Sequence, residues 1–131
     1  MSKDLTWKPI VRDRKGELRL DEAALRRPFG WRGTRKATIG ADLFAADVPD
    51  EWIEHVLAVA ALCPKHSFAV PTADSERAER LLGEFEAQGP YIISKVRAHA
   101  WRDPRDGTRL YFEKGAAWPP ANVKLEQQAD A

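Results

Sequence analysis

Cysteine is the scarcest chemistry-bearing residue here: Cys63 is the only one among 131 residues. Within this chain no disulfide can form, and no cysteine-ligated iron–sulfur cluster or multi-cysteine zinc site can be assembled. No apolar run approaches the roughly 18 residues of a membrane span. The opening stretch MSKDLTWKPIVRDRKG has no apolar signal-peptide core, so the expected location is the cytoplasm. Gly30, Gly33 and Gly40 are scattered and fit neither nucleotide fingerprint. A Gly-x-Ser-x-Gly nucleophile elbow is missing. His55, His66 and His99 share no metal-ligand spacing, so no metal and no cofactor is expected. His55 sits beside Glu51 and Glu54 on the charged flank of its helix and is expected to face solvent.

What remains is an ordinary soluble composition, 44% hydrophobic and 31% charged, long enough for one domain with one modest core. The organisation expected is a basic N-terminal arm over 1–16, an α/β core over 17–126 and a frayed tail over 127–131. Net charge is only +1, but unevenly spread: residues 1–36 hold 11 Lys/Arg against 5 Asp/Glu. Such asymmetry suits either a basic face for an acidic partner or mutual attraction between two parts of one domain.

The arm is extended, with room for one short strand, and Trp7 and Ile10-Val11 are its anchors. Leu18 and Leu20 alternate with charges. Asp21 is placed to cap a short helix over Glu22–Arg27, stopped by Pro28. A strand over 36–40 follows. Asp47 or its neighbour then starts a helix, with Pro49 in the first turn and Asp50 and Glu51 complementing the dipole. Trp52, Val56, Val59, Ala60 and Cys63 recur at helical spacing, widened by Ile53 and Leu57, until Pro64. HSFAV, 66–70, reads as a buried strand. Ala78, Leu81, Leu82 and Phe85 mark a second amphipathic helix with Ser75 at its start. Residues 91–113 read as a third helix, with a hairpin through Asp106-Gly107 as the alternative. A last short strand falls at 123–125. Strands alternating with helices give an α/β fold with right-handed crossovers: a small three-layer or partial-barrel fragment of about three parallel strands and two to three helices.

Asp42 stands just past the strand over 36–40, at the edge where ligands of parallel sheets bind, although a carboxylate there also serves to shape a loop. The aromatics Trp7, Trp31, Trp101, Tyr111 and Trp118, interspersed with arginines, suit either core filling or a stacking and docking surface. Cys63 reads as a small buried apolar residue.

One pattern is more specific. Ile39, Asp42-Leu43-Phe44, Asp47-Val48-Pro49, Pro64 and His66 form a strand–DLF–acid–Val-Pro–helix–Pro-x-His–strand series. Over about 17–126 the chain resembles the middle of a phage- and prophage-associated radical-SAM-like family. That resemblance implies a partial parallel α/β barrel. It also implies a three-cysteine cluster holding an iron–sulfur centre and S-adenosylmethionine, whose place falls ahead of this chain, and further barrel strands beyond its end. The departures are chemical. The family's Leu-Thr-Lys-Arg-Pro after the second strand is here Pro71-Thr72-Ala73-Asp74-Ser75. Its Val-Trp-Leu-Gly is Val123-Lys124-Leu125-Glu126, and its serine-rich approach to the aspartate is Ile39-Gly40-Ala41. No catalytic or cofactor-binding residue is carried over.

The function expected is therefore non-catalytic. It is that of a phage or mobile-element protein binding a host protein or nucleoprotein complex, an antagonist of a host defence such as a CRISPR effector. Arg12, Arg14, Lys15, Arg26, Arg27, Trp101 and Arg105 are the expected partner-binding residues. The alternatives are a nucleic-acid-binding module using the basic third and a truncated S-adenosylmethionine-binding subunit working through Asp42.

Overall fold

The computed structural model describes residues 5–40, 43–45, 47–72, 75–87 and 120–127. Four strands, β1 (Leu5–Trp7), β4 (Lys36–Ile39), β5 (Ser67–Thr72) and β6 (Val123–Gln127), form an all-parallel sheet in the order β1-β4-β5-β6. Spatial order follows chain order. That order is shared by a segment of a parallel barrel and by one half of a doubly wound sheet. The α/β class is as expected, with four parallel strands where three were read. The addition is β1, inside what reads as an extended arm.

A separate hairpin joins β2 (Ile10–Arg12) to β3 (Leu18–Leu20). Its turn is local chemistry: the Asp13 carboxylate accepts from the Lys15 and Glu17 backbone N–H groups, and Gly16 takes φ 81°. Helix α1 (Glu22–Leu25) starts as expected, with the Asp21 side chain accepting from the Ala24 N–H at 3.1 Å. It ends two residues sooner than the sequence suggests, because Arg27–Gly30 tightens into a 3-10 turn around Pro28.

Helix α2 runs Asp50–Ala61, so its start is three residues later than the Asp47 reading. Two interactions hold the approach out of the helix. Val48 N–H bonds the Ala45 carbonyl in a turn, and Asp47 is engaged by Arg12. Pro49 becomes the N-cap. Ile53, Val56, Leu57, Val59, Ala60 and Cys63 are buried as the spacing predicts, and Trp52 is half-buried. Helix α3 runs Ser75–Ala87 and buries Ala78 and Leu81. Residues 91–113 lie outside the described residues, as does the tail beyond 127.

The register separates the two faces of the sheet. Leu5, Ala37, Phe68 and Val123 share one row, with Trp7 and Ile39, and Val70 and Leu125, on the same face. These residues join α2 and α3 in one apolar core. Trp7 is 1% exposed and donates from Nε1 to the Ala24 carbonyl at 2.7 Å. Its ring lies 5.2 Å from that of Phe68, and Trp31 stacks on Phe68 at 6.2 Å. Trp7 is thus core, not docking surface.

Asn122 ties the sheet to the helix layer. Its amide nitrogen lies within hydrogen-bonding distance of the carbonyls of Ala60 (2.9 Å), Cys63 (3.1 Å) and His66 (2.8 Å), which line the turn where α2 ends and β5 begins.

Candidate functional site

The other face of the sheet is built differently. Thr6, Thr38, Ala69 and Lys124 share a row across all four strands, flanked by Lys36, Ser67, Pro71 and Glu126. Thr6, Lys36, Ser67, Lys124 and Glu126 are exposed, and Thr38 and Pro71 are half-buried. Ala69 is buried but stands outside the main apolar core. All-parallel sheets are normally covered on both faces. In a closed barrel this face would be the interior; here its described side chains are small or charged, exposed at Thr6, Lys36, Ser67, Lys124 and Glu126 and buried at Ala69.

Pro71 adds a break at the carboxyl end. Ser67 N–H bonds the Arg35 carbonyl, so residues 67, 69 and 71 face β4 while 68, 70 and 72 face β6. Pro71 has no N–H to give the Ile39 carbonyl. The β4–β5 register accordingly ends at Thr38 and Ala69, whereas β5 and β6 stay paired to Thr72 and Gln127. The two middle strands part where ligands of parallel sheets usually sit.

On the β1 side of that edge is a cavity of about 460 Å³. Lys8 and Gly40 follow β1 and β4. Ile10, Arg12 and Leu18 come from the hairpin, and Val48 from the approach to α2. Arg12 Nη2 reaches Asp47 at 2.8 Å and Nη1 donates to the Gly16 carbonyl, so the hairpin is pinned to the loop before α2. This ion pair links the basic third of the chain to the acidic remainder. A second cavity, about 230 Å³, lies between α1 and α2 and is lined by Trp52, Glu22, Arg26 and His55. His55 is half-buried there rather than facing open solvent.

His66 is buried at the entry to β5. Its Nδ1 accepts from the Arg35 N–H at 3.0 Å, its ring packs edge-on to Trp31, and Nε2 makes no hydrogen bond of ordinary geometry. Burial lowers its pKa below the usual value, helped by the nearby charges of Lys65 and Arg35 and opposed by the Pro28 carbonyl. Cys63 is buried, matching its reading as a small apolar residue.

Of the expected partner-binding residues, Arg14 and Lys15 stand exposed on the hairpin turn, and Arg26 and Arg27 are exposed where α1 gives way to the 3-10 turn. Arg12 is exposed but engaged with Asp47. Asp42, Trp101 and Arg105 lie outside the described residues. Among the described residues no three His, Cys, Asp or Glu side chains gather as a metal requires, and no helix is long and apolar enough to cross a membrane.

A family model described as a protein of unknown function (DUF5131) matches residues 2–128. The chain belongs to that family. The matched span takes in β1, the hairpin and all four parallel strands, so the arm is part of the DUF5131 unit and not an appendage to it. No curated protein and no solved structure matches the chain.

Sequence reasoning missed the open face and the cavity. The first was signalled by the alternation in Leu5-Thr6-Trp7 and Lys36-Ala37-Thr38-Ile39. The cavity had no local signal, because Lys8, Arg12 and Gly40 meet only through the fold.

Proposed function

We propose that this DUF5131 chain is a non-catalytic protein of phage or mobile-element origin that docks on a host macromolecular complex through the open face of its parallel sheet. A defence assembly of the CRISPR-effector type is the partner class that suits its size. The observation that carries this reading is the set Thr6, Lys36, Ser67, Lys124 and Glu126 on one face of the sheet, polar side chains left exposed on a sheet type that is ordinarily covered on both sides. A barrel-like strand order with one face left open suits an enzyme scaffold reused for binding. The test is affinity capture from host lysate with the full chain as bait. One stable assembly recovered in fixed proportion is expected, and recovery of nothing specific contradicts the reading.

A second reading has its own observation: Arg14 and Lys15 project from a rigid turn held by Asp13. Nucleic-acid binding through that tip would weaken steeply with salt. Absence of any DNA or RNA mobility shift at low salt removes it.

A further inference from the structure

We infer that the cavity at the carboxyl ends of β1 and β4 is a binding site for a small organic molecule with an apolar body and one oxyanion group, phosphate or carboxylate, held by Lys8. Three observations carry this. The volume, about 460 Å³, lies in the range of small-ligand sites, and the cavity sits at the sheet edge where parallel folds bind ligands. Its walls are chemically divided: Ile10, Leu18 and Val48 give an apolar side, while Lys8 and Arg12 give a cationic one.

The two cations are not equivalent. Arg12 is neutralised by Asp47 at 2.8 Å and fixes the wall. Among the described residues Lys8 makes no ion pair or hydrogen bond, so its charge is available to a ligand.

Gly40 explains how Lys8 reaches that position. A Cβ at Gly40 would come within 2.7 Å of Lys8 Cγ and 3.2 Å of its Cε. The lysine stem therefore lies flat across the Gly40 backbone at the rim of the cavity. Any side chain at 40 must push it aside. The backbone of Gly40 is itself tied to β1 by its N–H on the Trp7 carbonyl at 2.8 Å, so the lysine is the part that moves. The same Cβ would come within 3.0 Å of the Thr6 methyl, so the cavity adjoins the sheet face at its β1 edge.

The test is titration of the full chain with AMP, adenosine and phenylacetate, followed by amide chemical shifts. AMP, phenylacetate or both should saturably shift the amides of Lys8, Val11, Gly40 and Ala45, and adenosine should not; which of the two acts tells phosphate from carboxylate. Lys8→Gln should weaken binding about tenfold or more, the scale of a lost charged hydrogen bond, whereas Lys8→Arg should retain most of it. Gly40→Ala should weaken it by displacing the stem, and Arg14→Gln on the hairpin tip should leave it unchanged. The proposal is overturned if neither anion binds, if adenosine binds as well as AMP, or if Lys8→Gln binds like the parent.

Discussion

The two faces of the parallel sheet share one backbone and one register, yet alternate residues meet opposite surroundings. Trp7 is core and Thr6 is exposed; Phe68 stacks on Trp31 and packs tilted against Trp7, while Ser67 and Lys124 are exposed. A parallel strand buried on both sides is apolar at nearly every position. Here the period-two alternation of β1 and β4 assigns only one face to a core. The difference separates what holds the fold from the face proposed to dock. The closed face holds the fold together through its apolar contacts, and the open face is free to change without unfolding it. That freedom is what the proposed docking role requires.

The largest effect should come from the closed face. Phe68→Ala removes the ring on which Trp7 and Trp31 pack, and should cost about 3–5 kcal/mol in a denaturant titration. If the loss is no greater than for Ser67→Ala on the neighbouring open position, the contrast between faces is wrong. Open-face changes of that kind should stay within about 0.5 kcal/mol.

Asn122→Ala comes next. It strips the shared donor from the carbonyls of Ala60, Cys63 and His66, and should cost about 1–3 kcal/mol by the same titration. The loss should also appear as faster amide exchange in the last turn of α2, next to the carbonyls it releases.

The histidine gives a smaller, pH-dependent effect. Because the folded-state pKa of His66 is lowered, the unfolded chain binds a proton that the folded chain refuses as pH falls below about 6.5, the ordinary histidine value. Its contribution is therefore fully present above that value and shrinks on acidification until the lower folded pKa is passed. Denaturant midpoints at pH 7.5 and 5.5 should differ more in the parent than in His66→Asn.

Pro71→Val should move stability least. It offers the Ile39 carbonyl the missing N–H, a gain of about 1 kcal/mol, against a similar loss from the freer unfolded chain. The readout is a new slowly exchanging amide at position 71, showing that β4 and β5 have zipped further. An amide at 71 that exchanges as fast as an exposed loop would mean that the strands are parted by something other than the proline.

Much of this was readable beforehand. Asp21 followed by Ala24 and Leu25, and Pro49-Asp50-Glu51 ahead of a helical apolar stripe, are local signals, and both helices form close to where those signals fall. The exact start of α2 was not local: it depends on Asp47 being held by Arg12 from 35 residues away. The arm had room for one short strand by its sequence and holds two, β1 and β2, because three residues carry too little periodicity to place a strand within an arm. The hairpin had a legible turn in Asp13 and Gly16, but Ile10-Val11 and Leu18-Arg19-Leu20 are too short to announce strands alone. The cavity combines residues from β1, the hairpin, β4 and the approach to α2, so only the assembled chain shows it.

The most direct test of the account is affinity capture from host lysate with two paired baits. One carries Ser67→Glu and Lys124→Glu on the open face; the other carries Arg14→Glu and Lys15→Glu on the hairpin tip. The account predicts that the assembly held by the parent chain is lost from the first bait and kept by the second, with both baits melting like the parent. Loss from the hairpin bait with retention by the sheet-face bait would contradict it.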